Sequence, residues 1–410
     1  MDGSISLASR DLASLQVPQV GCVRPGSDEW EPWELLDPAG VRVNAVAVYL
    51  RDLQAAGRSA ATLRGYALDL LRWFRFLWAI DVAWDRAKRT EARDFSCWLA
   101  SVDKPMRGPR HVAAGTVNAV TGRPSPGPTY APATRARAET VLRRFYDLHM
   151  ETRLGPDVNP FPQRRTSGGR ANAHGNPMRP FVQDRVGVYR PRVAERLPRC
   201  IPDEWFNRLF AQLASHRDRA LVAFWVSSGV RAAELLGIRC ADVDPGQQLI
   251  TVVRKGTRAV QQVPASPDAF VWLRLYQAEV RRGVPHGRGD PVWWTLRRPH
   301  RPLTYHAAFR MFERVNGLLG SNWTPHDLRH TAAHRMARDP QMPLVDVQWV
   351  LGHARLSSTQ RYLTPTCDEV IESVRAHHAR LASTASTPAE PPAPGYRAET
   401  LSVLFGWEPS

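Results

Sequence analysis

Apolar residues in the first half of the chain recur at helical spacing. One predicted helix has four of them on a single face: Val46, Tyr49, Leu50 and Leu53. Ser59 is suited to cap a second helix over about residues 60–78. The polar face of this second helix carries three arginines: Arg64, Arg72 and Arg75. We expect these arginines either to form a solvated face or to lie along a phosphate backbone.

Residues 41–152 are predicted to form one helical domain with a long internal loop. Thr134 is the expected cap of a further helix that continues to about residue 152, and residues 104–132 contain the prolines and glycines of a loop. Residues 1–40 lack clear periodicity. We therefore expect them to form an N-terminal arm.

Helical and strand patterns follow each other in the second half of the chain. Proline and acidic residues open a helix at Pro202, and the apolar stretch over about residues 217–226 predicts a buried helix. Strand-like runs at 249–253 and 259–263 flank a short turn, which predicts a hairpin. Further helices are predicted at about 268–282, 304–319, 325–338, 344–351 and 367–381. The predicted fold is mainly α with a small antiparallel β-sheet, in which a mixed α/β domain over residues 201–382 follows the helical one.

Two segments look like connections by composition. Residues 153–200 hold ten arginines against three acidic residues, and such a linker repels itself unless it lies on an anionic track. We predict that it follows DNA between the two domains; the alternative is a disordered tether. Residues 383–410 are predicted to be a flexible linker and a C-terminal tail that docks on a neighbouring protomer, or else a disordered end.

Composition points to a nucleic-acid partner. Lys plus Arg is 55 and Asp plus Glu is 39, a formal net charge of +16, and arginine predominates, whose planar fork suits phosphate. The alternative is that the arginine content reflects a genome whose coding favours arginine. The five cysteines are scattered, no apolar run is long enough for a membrane, and no secretory signal is expected. We therefore expect a cytoplasmic, nucleoid-associated protein with reduced thiols.

Three short motifs contain the candidate chemistry. They are Gly229-Val230-Arg231-Ala232-Ala233-Glu234-Leu235, His326-Asp327-Leu328-Arg329-His330, and Leu351-Gly352-His353 followed by Tyr362. Lys255 lies in the predicted hairpin between the first two motifs. In this order the residues resemble the catalytic set of the tyrosine recombinase (phage integrase) family. The resemblance covers about residues 203–382, and 41–152 look more weakly like the core-binding domain of that family.

The residue types in these motifs suit attack on a phosphodiester. Two arginines, Arg231 and Arg329, can each offer paired hydrogen bonds to phosphoryl oxygens, which gain charge in the transition state. His326 lies one helical turn before Arg329, and the Leu-Gly turn can direct His353 to the same phosphate. Glu234, one turn after Arg231, is expected to hold that region in place without taking part in the chemistry.

The resemblance implies the remaining roles. Tyr362 would attack DNA to form a 3′-phosphotyrosine and free a 5′-hydroxyl, which reverses the step on a partner strand. Lys255, chosen because it is the only lysine after Lys104 and lies in the expected hairpin, would protonate the leaving oxygen. No metal or nucleotide cofactor is implied. The predicted catalytic residues are Arg231, Lys255, His326, Arg329, His353 and Tyr362.

Three other functions fit part of the pattern. His326, His330 and His334 are spaced four residues apart, and the first two resemble a zinc-protease motif in which Asp327 replaces the usual glutamate. That hypothesis leaves Arg231, Lys255 and Tyr362 unexplained, whereas the DNA hypothesis treats His330 and His334 as packing or supporting residues. The others are a type IB topoisomerase, which would relax supercoils as a monomer, and a DNA-binding protein without activity.

The sequence thus predicts a site-specific DNA recombinase that serves integration, excision or strand exchange. Its two domains would hold double-stranded DNA as a clamp, and four protomers would assemble as a homo-tetramer on paired recombination sites. Accessory directionality or DNA-bending proteins are possible further partners. No cofactor and no membrane association are expected.

Overall fold

The computed structural model describes residues 10–105, 113–165, 185–194, 198–363, 367–385 and 397–406. The chain divides into two compact units, Met1–Glu195 and Arg196–Ser410. The fold is mainly helical with small antiparallel sheets, as predicted. Among the helices described, none combines the length and the apolar character that crossing a bilayer requires.

The first unit is helical with two small antiparallel sheets. Its elements are β1 (Cys22–Asp28), β2 (Glu31–Leu36), α1 (Asn44–Ala55), α2 (Ala60–Ala79), α3 (Arg89–Ser101), α4 (Pro132–Glu151), β3 (Gln163–Arg165) and β4 (Arg185–Gly187). Trp73 is fully buried at the centre of the core, where its Nε1 donates to Oη of Tyr146 at 2.9 Å. The Tyr146 hydroxyl in turn donates to the carbonyl of Trp84 at 2.9 Å. These bonds satisfy the polar atoms that the aromatic side chains carry into the core.

The caps of two helices test the predicted boundaries. Ser59 caps α2 as predicted, because its side chain accepts from the backbone N–H of Thr62. The predicted cap at Thr134 is wrong: α4 begins at Pro132 after Ala131, so Thr134 lies inside the first turn. Proline is favoured in a first helical turn because its fixed φ is helical and the position needs no N–H donor.

Two of the three arginines of α2 bind the N-terminal part of this unit, which neither expectation for them foresaw. The guanidinium of Arg75 donates to the carbonyls of Val20 and Gly21, at 2.6 and 3.0 Å. Arg64 lies over the ring of Trp33 on β2, whereas Arg72 pairs with the buried Asp69 of the same helix. Arg75 and Arg64 therefore fasten the residues before β1 and strand β2 to the helix.

The second unit builds its core around α6. Its elements are α5 (Asp203–Ala211), α6 (His216–Ser228), α7 (Ala232–Leu236), β5 (Val243–Asp244), β6 (Leu249–Val253), β7 (Val260–Pro264), α8 (Pro267–Val280), α9 (Tyr305–Leu319), α10 (Pro325–Arg338), α11 (Leu344–Leu351), α12 (Ser357–Gln360), α13 (Cys367–Ala385) and α14 (Ala398–Phe405). Helix α6 is apolar on nearly every face and buried, as predicted, and it packs against α8 and α10.

A three-stranded antiparallel sheet, ordered β5-β6-β7, completes this unit. The register pairs Val253 with Val260, so the turn between β6 and β7 holds Lys255 and Gly256. The predicted hairpin is therefore confirmed. The short helix α12 ends at Gln360, and Tyr362 lies in the turn that follows it.

Candidate active site

Arg231 is positioned between two helices of the second unit. Gly229 ends α6 with φ +63°, a conformation that L side chains rarely adopt, and a Cβ atom there would lie 2.7 Å from Cδ2 of Leu351. Arg231 follows as the N-cap residue of α7, and its side chain is 29% exposed. Glycine at position 229 therefore lets the chain turn tightly and present the guanidinium of Arg231 near the surface.

Glu234 is a buried carboxylate that joins Arg231 to the β6–β7 hairpin. Its Oε1 accepts from Nη1 of Arg231 at 2.8 Å and from the backbone N–H of Lys255 at 2.9 Å. Its Oε2 accepts from the backbone N–H of Arg231 at 3.0 Å and from Nη1 of Arg254 at 3.1 Å. Burial raises the pKa of this carboxyl, but the hydrogen bonds and the charge of Arg231 outweigh it, so the pKa is lowered. The charged Glu234 thus has the holding role expected of it.

Arg254 belongs to the same cluster, and the sequence reasoning missed it. It is only 3% exposed, and besides Glu234 it donates to Oε1 of Gln261 and to the carbonyl of Val350. A Cβ atom on Gly352 would lie 2.8 Å from Nε of Arg254. This arginine therefore joins the hairpin to the Leu-Gly-His motif, and its position beside Lys255 was the available signal.

Lys255 lies at the exposed tip of the hairpin. Its backbone N–H is fixed by Glu234, while Gly256 turns the chain with φ +101°. Within the part of the chain that the structure describes, the ammonium of Lys255 makes no hydrogen bond or ion pair. The structure thus fixes the base of this side chain and leaves Nζ outside the contacts that join the other candidates.

Helix α10 carries His326 and Arg329, and its first turn is fixed on both sides. Thr324 caps it in a reciprocal box with Asp327. Asp327 also accepts from Nε of Arg199 at 3.2 Å, and Arg199 lies over the ring of Trp323. The end of the predicted linker, where Arg199 lies, is therefore bound to this helix.

Arg329 is buried and is held by backbone oxygens. It is 3% exposed, and its two terminal nitrogens donate to the carbonyls of Gly229 and Leu351, each at 2.7 Å. Burial and then the nearby charge of Arg231 lower the pKa of its guanidinium to about 10, so it remains charged at neutral pH. The guanidinium groups of Arg231 and Arg329 each have further N–H groups that can donate to an anion.

His353 lies beside the tyrosine. Gly352 ends α11 with φ +60°, which is why the turn can redirect the chain. The imidazole of His353 stacks on the ring of Tyr362 at 6.2 Å between centroids and 6° between planes, and its Nδ1 bonds to Oγ1 of Thr359 at 2.9 Å. Burial, followed by the charges of Arg329 and Arg231, lowers the pKa of His353 to about 4, so the ring is neutral.

Tyr362 is buried, at 5% exposure, and packs against Ala333, Val347 and Leu351. Its hydroxyl bonds to Nδ1 of His330 at 2.8 Å. Burial raises the pKa of the phenol, and the charges of Arg329, Arg361 and Arg231 only partly offset this. The phenol is therefore protonated at neutral pH. His330 was expected only to pack or to support, and its position four residues after His326 gave no sign of this contact.

Some of the predicted catalytic residues lie around the hydroxyl of Tyr362, and others do not. Arg231 and Arg329 act electrostatically on the phenol, and His353 stacks on it. His326 lies at the surface, and its ring meets that of His330 edge-on with 4.3 Å between centroids. Partial burial, followed by the charge of Arg329, lowers its pKa. Lys255 reaches the cluster only through its backbone.

Arg231 and Arg329 place positive charge around the buried hydroxyl of Tyr362. Such an arrangement suits an anion with several oxygens, above all a phosphate. In the described ranges, no group of three or more His, Cys, Asp or Glu side chains is placed to hold a metal ion. His330, one of the residues of the zinc hypothesis, instead directs Nδ1 at Tyr362.

The Glu234→Gln variant is expected to lower the free energy of unfolding of this unit by about 3–5 kcal/mol. The reason is that Glu234 and Arg254 are both almost fully buried, so neutralising one leaves the other charge unpaired. Urea unfolding followed by tryptophan fluorescence measures the change. The matched control is Glu204→Gln, which removes an exposed pair with Arg208 and should cost about 0–1 kcal/mol. Equal losses in the two variants would contradict the role assigned to Glu234.

Comparison with known proteins identifies related sequences and solved structures with a similar fold. The phage integrase family model matches residues 202–368. Tyrosine recombinase XerC of Chlamydia caviae is 34% identical over 183 residues, which are 43% of this chain and 57% of that protein. The chain spans about three fifths of the length of the curated relatives that it matches.

Solved structures share the fold at low sequence identity. A lambda integrase dimer bound to a COC′ core site aligns with a TM-score of 0.52 and 16% identity over 78% of this chain and 76% of that one. The integrase of transposon Tn1549 in complex with a circular intermediate DNA aligns with a TM-score of 0.51 and 15% identity, over 82% of this chain and 99% of that one.

The second unit is therefore similar to the phage integrase family over residues 202–368, and the chain is similar in sequence to tyrosine recombinases.

Proposed function

We propose that this chain is a site-specific DNA recombinase that cleaves and rejoins duplex DNA through Tyr362. The observation that carries the proposal is the buried phenol of Tyr362, which is hydrogen-bonded to a histidine and acted on by the charges of Arg329 and Arg231. A hydroxyl among fixed cations suits nucleophilic attack on a phosphodiester. The Tn1549 integrase, which has a similar fold, was solved in complex with a circular intermediate DNA, and this supports DNA as the partner.

The proposed step is a transesterification. Oη of Tyr362 forms a bond to the scissile phosphorus while the bond from phosphorus to the 5′-oxygen breaks. Arg231 and Arg329 bind the phosphoryl oxygens, and His326 and His353 offer further donors to them. The Lys255 ammonium gives its proton to the leaving 5′-oxygen. A 5′-hydroxyl from another strand then attacks the phosphotyrosine and reverses each bond change, so that no metal or nucleotide is consumed.

The test is capture of the covalent intermediate. The protein is incubated with sheared DNA from its own genome in the presence of EDTA, denatured with detergent, and digested. Mass spectrometry should find a nucleotide on the peptide containing Tyr362, and sequencing should find one shared sequence at the attached 3′ ends. An adduct on another residue, or one lost in EDTA, would overturn the proposal. Scattered attachment sites would instead indicate a topoisomerase.

We further propose that the first unit contributes residues 41–152 to DNA binding and that four protomers act on two sites. The C-terminal tail would then dock on a neighbour. Within the described residues of this tail, Val403, Leu404 and Phe405 of α14 are exposed by 86%, 70% and 61%, an apolar surface that suits a second copy of this chain.

Removing residues 384–410 is expected to reduce tetramer formation on paired-site DNA while a single protomer still cleaves a single site. Analytical ultracentrifugation of the protein with the DNA recovered by adduct mapping measures the assembly. The matched control carries Val403→Ser, Leu404→Ser and Phe405→Ser in the full-length chain, which removes the apolar surface but keeps the length of the tail. A tetramer of unchanged stability in both variants would reject the docking role.

A further inference from the structure

The hydroxyl of Tyr362 has a specific partner that the proposed chemistry has not used. Nδ1 of His330 lies 2.8 Å from Oη of Tyr362, a full-strength hydrogen bond. The two rings are tilted by 48° with centroids 5.7 Å apart, so the contact is made edge to edge through these atoms. The bond joins α10 to the turn after α12, where Tyr362 packs against Ala333, Val347 and Leu351.

The other two histidines of the site are placed differently. His353 lies parallel to the phenol ring, and its Nδ1 is already bonded to Thr359. His326 meets His330 edge-on and is exposed to solvent. Neither forms a hydrogen bond with Tyr362 in the described part of the chain. His330 is therefore the ring that can exchange a proton with the hydroxyl directly.

The protonation states give this bond a direction. Burial, then the charge of His326, lowers the pKa of His330 to about 4, with Arg329 and Arg361 adding to the effect and Asp327 opposing it. The imidazole is therefore neutral at neutral pH and has a lone pair on one nitrogen. Since burial keeps the phenol protonated, Tyr362 donates and Nδ1 of His330 accepts.

We propose that His330 is a catalytic residue, the general base that takes the hydroxyl proton of Tyr362 through Nδ1 while Oη attacks the phosphorus. This inference rests on the proposed function. The proton moves from Oη to Nδ1, the bond from Oη to phosphorus forms, and the bond from phosphorus to the 5′-oxygen breaks. In rejoining, His330 returns the proton to Oη as the phosphotyrosine bond breaks.

The bound phosphate makes His330 a better base than it is in the free protein. The cations that face it are Arg329 on its own helix and Arg361 beside Tyr362, and both disfavour the imidazolium. A phosphodiester brings negative charge into this region, and that charge grows on the phosphoryl oxygens in the transition state. It offsets the two cations, so the proton affinity of Nδ1 rises as Oη bonds to phosphorus.

The decisive variant is His330→Asn. The side-chain oxygen of asparagine can occupy the position of Nδ1 and accept the hydrogen bond, but it takes up no proton in the working pH range. His330→Ala removes both properties. The matched control is His306→Asn, which changes an exposed histidine on α9. Circular dichroism melting and DNA binding confirm that the asparagine variant is folded and binds.

Single-turnover cleavage is measured on a duplex that carries the sequence recovered by adduct mapping. General-base loss typically slows a step by about 10²–10⁴-fold, so we expect His330→Asn to be as slow as His330→Ala. Its rate should rise by about tenfold per pH unit between about pH 6 and 9, because the phenol then depends on hydroxide to remove its proton. The wild-type protein and His306→Asn should show a much flatter profile.

A second substrate separates proton removal from proton donation. Replacing the scissile 5′-oxygen by sulfur makes a leaving group that departs without a proton, because a thiolate is far less basic than an alkoxide. This substrate should restore cleavage to a Lys255→Ala variant but leave His330→Asn slow.

Two results would overturn the inference while the proposed function stands. One is a His330→Asn protein that cleaves within about threefold of wild type with a flat pH profile, which would make His330 a positioning residue only. The other is restoration of His330→Asn by the sulfur substrate. If the wild-type protein itself forms no adduct through Tyr362, the proposed function fails and the inference fails with it.

Discussion

The Tyr362→Phe protein is expected to form no detectable covalent adduct with DNA, while its affinity for the same DNA stays within about threefold of wild type. The phenol oxygen is the only atom removed, and loss of a nucleophile lowers turnover by on the order of 10⁴-fold or more in other covalent enzymes. The ring still packs against Ala333, Val347 and Leu351, so the fold should persist. Denaturing gel electrophoresis with labelled DNA measures the adduct, and gel shift measures binding.

The control for this result is Tyr305→Phe. Tyr305 is 50% exposed on α9, and it lies outside the cluster that surrounds Tyr362. Adduct formation by this variant should equal that of wild type. An adduct that survives in Tyr362→Phe would show that another side chain attacks the DNA, and the mechanism proposed above would then be wrong.

Arg231→Ala is expected to slow DNA cleavage by about 10²–10³-fold, since a well-placed donor to developing charge contributes about 3–4 kcal/mol in the transition state. Binding should fall much less, because many phosphate contacts contribute to it. Arg231 is the better choice of the two arginines, since Arg329 is buried and its loss would also leave two backbone carbonyls without donors. Single-turnover cleavage and titration of the same duplex give both quantities.

Two matched variants sharpen this comparison. Arg231→Lys keeps the charge but loses the planar fork, so it should recover only part of the lost rate. Arg310→Ala removes an exposed cation from α9 and should change cleavage by less than about threefold. Equal losses of binding and cleavage in Arg231→Ala would mean that Arg231 binds the DNA equally before and during the reaction.

Local signals were enough to predict most helices of the second unit and the hairpin. Pro325 and Thr324 mark the start of α10, and Gly229 and Gly352 mark the ends of α6 and α11. The strands at Cys22–Asp28 and Glu31–Leu36 were missed, because their pairing contains an irregularity between Pro25 and Asp28 that breaks the alternation of apolar and polar residues.

The residues of the candidate site that lie within a single motif could be predicted from the sequence. The residues that join the site through contacts between motifs could not. Arg231, Arg329 and His353 stand in short recognisable patterns. Arg254 and His330 depend on partners far along the chain, Val350 and Tyr362 respectively. Such pairings are set by how the helices pack, and one sequence contains no spacing that reveals them.

Because backbone oxygens hold Arg329, the amino acids around it can be substituted more freely. Its partners are the carbonyl oxygens of residues 229 and 351, and every amino acid supplies that oxygen. Exchanging Leu351 for another apolar residue of similar volume therefore leaves the arginine's two acceptors in place. The path of the main chain sets the orientation of the Arg329 guanidinium. Substitutions in the surrounding side chains can therefore accumulate without changing that orientation.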